Sequence, residues 1–296
     1  MRKFIKTCLI AGSICVLLGG TLAAVSAIMG GSIKDAIPSG IFKWKEDFSE
    51  VNLDGAWDGF DQYYDQLRVD ADERGQEIFS SAEVKQMDIE ARAGKVLIEE
   101  DPTVDRVRVF CNGDKTQFNA QGDGEELELK TYPGNGDESE LLFTILVPED
   151  YRFESVNLTL SHPNRIRGRK VTAPVIMANS LSSDEMDLET KVGAIKVIDG
   201  RAEELSVLCS VGAVDFSGTT IGDINAECRV GAVKMELDGK KEDYNYDTRC
   251  SLGAVRIGDE SIAGLKEEKW LNNGAGKTMD LECKTGAIDV DFINDL

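Results

Sequence analysis

Five times in the second half of the chain a strand-like run meets a Gly-Ala pair: KVGAIKV, SVGAVDF, RVGAVKM, SLGAVRI and KTGAIDV. The glycines are Gly193, Gly212, Gly231, Gly253 and Gly286, at intervals of 19, 19, 22 and 33 residues, and a weaker copy, EARAGKVLI, places Gly94 in the same role. A period near 20 residues cannot enclose a core in one unit. It buries its apolar side by stacking on the next copy, so the repeat predicts an all-β body, a β-solenoid or β-helix-like stack of coils of about 19 residues. The longer intervals are accounted for by insertions at KKEDYNYD and DESIAGLKEEKWLNNGAGKT.

Aligning the copies on the glycine sorts side chains into columns, because strand residues alternate faces. Five before the glycine stand Ile89, Leu188, Val207, Ala226, Thr248 and Leu281; three before it Ala91, Thr190, Cys209, Cys228, Cys250 and Cys283. One before it come Ala93, Val192, Val211, Val230, Leu252 and Thr285, and two after it Val96, Ile195, Val214, Val233, Val255 and Ile288. These columns are small or apolar in each copy and are expected inside. Between them run a column with Glu90, Glu189, Glu227 and Glu282 and another with Arg92, Lys191, Arg229 and Lys284, the pattern of a solvated face. Lys196 is also expected outside. The change of phase at Gly-Ala is expected to be a corner, where glycine supplies a backbone shape other residues resist.

The first 33 residues have a different character. Arg2, Lys3 and Lys6 precede an uncharged stretch over 7–33, long enough for a bilayer core that needs about 20 residues. The expected organisation is a basic cytoplasmic tail at 1–8, a transmembrane anchor at 9–33, a spacer at 35–83 without sustained period, and the β-body at 84–296. Val25-Ser-Ala27 offers an alternative as a cleavage site, but the apolar run continues past it. With the basic residues on the N-terminal side, the body is expected outside the cell membrane. Lys and Arg number 33 against 54 acids, a net charge of -21, and the acid excess lies wholly beyond residue 34. Such a body repels phosphate backbones, so nucleic acid is excluded as a partner.

The coil repeat after an N-terminal span, the middle segment LLFTILVPEDYRFESVNLTLS and the closing GAGKTMDLECKTGAIDVDF together resemble the DUF4097 family of bacterial envelope proteins, described as "putative adhesins". The similarity covers 84–292. It implies a β-helix-like, membrane-anchored protein without an established catalytic residue, often from Gram-positive bacteria. The chain departs from the pattern at SHPNRIRGRKVTAP, where a glycine-bearing coil is expected and the repeat reads as interrupted.

Thr190, Cys209, Cys228, Cys250 and Cys283 share one inward column and are expected to pack as a buried ladder, where a thiol acts as a small hydrophobe. A disulfide between neighbours is the alternative. A thiolate metal site lacks the Cys-x-x-Cys or histidine partners it needs. GAGKT at 274–278 lacks the first glycine of a phosphate loop and is read as a turn. DADERGQEIFSS, from Asp70, fails as a calcium loop at its fifth and twelfth positions, while GDGEE and GNGDESE read as solvated acidic turns. His162, the one histidine, precedes a proline and is expected in a turn. No catalytic residue, metal site or cofactor is therefore expected. The function this supports is a structural or interaction role in adhesion or envelope-stress signalling, with the membrane and an envelope protein or glycan as partners. A polysaccharide-active enzyme using surface carboxylates, or a calcium-dependent adhesin, is the alternative.

Overall fold

The computed structural model describes residues 74–113, 117–122, 124–132, 141–161 and 174–293. The basic tail, the anchor, most of the spacer and His162 lie outside the described residues. Among the described residues no helix is long and apolar enough to cross a membrane. The all-β reading holds: among the described residues fifteen strands form one continuous sheet, joined by a short 3₁₀ turn at Lys241–Asp243.

The strands are β1 (Gln76–Ser81), β2 (Gln86–Ala91), β3 (Lys95–Glu100), β4 (Val107–Cys111), β5 (Phe118–Gln121), β6 (Glu126–Thr131), β7 (Leu142–Val147) and β8 (Arg152–Leu160). They continue as β9 (Val175–Asn179), β10 (Ser182–Thr190), β11 (Gly193–Thr220), β12 (Ile224–Leu237), β13 (Tyr244–Ile257), β14 (Glu260–Leu271) and β15 (Lys277–Phe292). β1 falls within the stretch read as spacer. Its sequence, QEIFSS, is too short and too polar to announce itself, and it forms because β4 offers it an antiparallel edge.

The sheet has two arms facing one core. In the first arm, strands that precede each corner run parallel and in register: Leu160 beside Thr190, Thr190 beside Cys209, Cys209 beside Cys228, Cys228 beside Cys283 and Cys283 beside Cys250. In the second arm the strands after the corner do the same, with Val214 beside Val233, Val233 beside Ile288 and Ile288 beside Val255. Inward side chains from both arms, among them Ile89, Leu158, Leu188, Phe143, Ile195 and Phe216, form one core cluster. Where the repeat reads as interrupted, the rung is present: β8 pairs with β10 and β9 with β11. The stretch between β8 and β9, 162–173, lies outside the described residues.

The stacking order departs from the chain order at both ends. β15 lies between β12 and β13, so Gly286 sits between Gly231 and Gly253. Likewise β2 and β3 lie between β6 and β7 on one side and β8 and β9 on the other. Each end then closes with antiparallel strands: β14 on β13, β4 on β7, β1 on β4, and β5 on β6. Antiparallel, charged end strands limit edge-to-edge pairing with other sheets. β14 shows Glu267, Glu268 and Lys269 to solvent, and its Glu260, held by Lys241 and Lys269, has its pKa lowered to about 2 by those two ammonium groups.

Two expected columns turn out differently. Val211 and Val230 are 40% and 36% exposed, because the phase change begins before the glycine and turns the last two residues of the approaching strand outward. Lys196, expected in solvent, is 8% exposed and bonded to Asp215 at 2.9 Å. A buried ammonium group needs such a partner.

Candidate functional site

The corner glycines build the frame. Gly193, Gly212, Gly231 and Gly286 have φ between 135° and 149°, a region that side chains other than glycine's resist. Gly94 has φ 78°, and Gly253 occupies the same corner directly on Gly286. The glycines stack closely enough that a Cβ on Gly212 would lie 2.0 Å from the Gly193 oxygen. Neighbouring rungs are thereby forced into one register, and any outward residue repeats as a straight file.

Inside the frame the ladder of Thr190, Cys209, Cys228, Cys283 and Cys250 runs in that spatial order. All four cysteines, with Cys111, are buried thiols outside any disulfide. Hydrogen bonding to Cys209, then burial, raises the Cys228 thiol well above its ordinary pKa, and contact with Cys228 raises Cys283 to about 12. Thiols so shielded are poor nucleophiles. Maleimide labelling of the native protein is expected to leave these five thiols unmodified, and unfolding to release all five, as read by peptide mass mapping. Rapid native labelling of Cys228 or Cys283 would contradict the packing seen here. Among the described residues no three His, Cys, Asp or Glu side chains converge to hold a metal ion.

Outside the frame, on the arm before the corners, the glutamate and lysine/arginine columns mostly neutralise each other. Glu227 accepts from Arg229 at 2.9 Å and from Lys284 at 2.6 Å, and these bonds lower its pKa. Lys191 lies 3.7 Å from Glu189. Exposed pairs of this kind add little stability.

One step farther from the corner the balance fails. Asp187, Ser206, Asn225, Asp280 and Asp247 form the next file outward on this arm. Here an open trough of about 430 Å³ is lined by Glu185, Asp187, Glu204, Asp223 and Asp280, with Ser206, Asn225 and Thr278 between them. Among the described residues no lysine or arginine lines it. Its flanks are clamped, on one side by Arg152 against Asp184 and Glu203, on the other by Arg249, 2.6 Å from Asp247 and 3.4 Å from Asp280. Four carboxylates on rigid strands, with Asp223 in the turn that enters β12, create a local negative potential suited to a cationic partner. Sequence reading singled out the neighbouring columns and missed this one, because Asp280 joins the others only through the interleaving of β15.

No family model matches the chain, and no curated protein matches it. Solved structures of similar shape include a "putative cell adhesion protein" from Clostridium sporogenes, with TM-score 0.41 and 16% identity over 72% of this chain and 94% of that one. A "putative adhesin" from Bacteroides fragilis has TM-score 0.38 and 12% identity over 73% of this chain and 97% of that one.

Proposed function

We propose that the chain is a membrane-anchored β-solenoid of the DUF4097 kind, displayed outside the cell, whose role is non-catalytic: its solenoid presents an acidic surface to a cationic envelope partner. The observation that carries this reading is the trough of Glu185, Asp187, Glu204, Asp223 and Asp280 on and beside strands locked in register, with no Lys or Arg among its described lining residues. Preorganised charge of one sign favours encounter with the opposite sign and raises the association rate. The stacked rungs support the solenoid, and the uncharged run at 7–33 supports the anchor.

Binding of a lysine-rich peptide to the purified full chain tests the surface. Reversing Asp187 and Glu204 together, Asp187→Lys with Glu204→Lys, is expected to weaken binding about tenfold or more, and added salt to weaken the unaltered protein's binding. Equal affinity of the reversed variant would sink the acidic-surface reading.

A further inference from the structure

The second arm is buried on both sides, and the described residues account for only one of them. Val96, Ile98, Phe143, Ile145 and Ile176 point into the core cluster. Their strand neighbours point the other way, yet Leu97, Leu142, Leu146, Val175 and Met177 are between 0% and 5% exposed and lie outside that cluster. Thr144, between Leu142 and Leu146, is 1% exposed. Among the described residues, the packed neighbours of β3, β7 and β9 are strands beside them in the sheet, apart from β8, which joins β9 around the same rung. An aliphatic side chain in the middle of a sheet face reaches zero exposure only beneath a second layer.

We propose that this outer face is the docking surface for residues 41–67 of the same chain. The sequence of this stretch supplies what the face lacks. Leu53, Trp57, Phe60, Tyr64 and Leu67 recur at steps of four and three, which places them along one side of a helix, with Asp58, Asp61 and Asp65 away from that side. Ile41, Trp44, Phe48 and Val51 show the same steps ahead of Leu53. The dimensions agree. Fifteen residues of helix from 53 to 67 span about 21 Å at 1.5 Å per residue, and the five strands β4, β7, β3, β9 and β11 span about 19 Å at 4.8 Å spacing. The chain also enters from the correct side, since it continues directly into β1, which edges this arm beyond β4. The internal stretches outside the described set lack the apolar content: PGNGDESE at 133–140 has none, and HPNRIRGRKVTA at 162–173 carries four cations with only Ile166 and Val171 as large aliphatics.

The stretch read as spacer is then a cover, leaving the acidic arm as the side open to partners. The inference does not depend on the proposed function, because it concerns the opposite arm and needs no ligand.

Tryptophan fluorescence of the full chain tests it. The three tryptophans are Trp44, Trp57 and Trp270, of which Trp270 is 68% exposed. In a Trp270→Phe background the emission comes from the two cover residues alone. Expected is a blue-shifted emission resistant to acrylamide, and on adding Met177→Glu or Leu97→Glu a red shift with quenching raised severalfold. Far-ultraviolet circular dichroism guards against unfolding, and Tyr64→Asp on the cover side, which leaves the sheet intact, is expected to give the same red shift. Three results would overturn the proposal: ready quenching of Trp44 and Trp57 in the background protein, as when residues 1–33 fill the face instead; protection that Met177→Glu leaves unchanged, as when the bilayer shields the indoles; or conversion of a dimer to monomer by Met177→Glu without a fluorescence change, as when a second copy covers the arm.

Discussion

Gly231→Ala is expected to be among the most damaging single-methyl additions this fold can suffer, lowering stability by several kcal/mol. Gly231 sits in the middle of the corner stack with φ 149°, and a Cβ there would lie 2.1 Å from the backbone oxygen of Gly212. The obstructing atom is backbone held by its own rung, so it cannot swing aside as a side chain would. Two costs combine: about 1–3 kcal/mol for an alanine in a glycine-only conformation and about 1–3 kcal/mol for forcing packed groups apart. Gly286 stacks on the other side, with its own Cβ position 2.0 Å from the Gly231 oxygen, so a shift of one rung passes to the next. Gly276 is the control, since nothing lies within 4 Å of its Cβ position; alanine there should change stability by no more than about 0.5 kcal/mol. The measurement is the denaturant midpoint of both variants. Equal midpoints for Gly231→Ala and Gly276→Ala would mean that the corners are not constrained by glycine at all.

These corners were legible in the sequence because a glycine that must be a glycine repeats at a countable interval, and the cysteine file was legible for the same reason. Lateral information was harder to read. Whether Val211 and Val230 face in or out depends on where a corner begins, and the exposed position of both follows from a phase change two residues earlier than the glycine marks. Lys196 looked like a solvated lysine because its partner, Asp215, is one rung away. The trough was invisible for a related reason: Glu185, Glu204 and Asp223 follow the 19-residue rhythm, but Asp280 belongs to a rung displaced from its place in the chain. Periodicity reports what each rung contains and is silent about which rung lies on which.

That order is written in charge, which leads to the second large effect: Asp289→Lys is expected to destabilise the protein by about 3–5 kcal/mol, the cost of leaving an uncompensated charge at a buried position, and to loosen β15 first. The residue three after the glycine of each of the five Gly-Ala pairs is Lys196, Asp215, Lys234, Asp289 or Arg256, and pairing places them in that spatial order, so the signs alternate along these five rungs. In chain order Lys234 would instead lie against Arg256. Asp289 is 6% exposed and lies against Arg256, which also holds Asp291. Burial raises the Asp289 and Asp215 carboxyls above their ordinary pKa. The sign follows: on lowering the pH the folded state takes up these protons before the unfolded chain does. This contribution therefore makes the fold more stable as pH falls through the raised values toward the ordinary one, and less stable at neutral pH. A ladder that costs stability when charged is better explained as a device for selecting one stacking order, since the wrong order would bury like charges together. Asp289→Lys creates that arrangement in place, three cations in succession, whereas Asp289→Asn leaves Arg256 its bond to Asp291 and should cost less. Hydrogen exchange distinguishes a general weakening from a local one. The β15 and β13 amides are expected to lose protection in Asp289→Lys while β8 and β10 keep theirs, and uniform protection across all rungs would show that charge does not hold β15 between its neighbours.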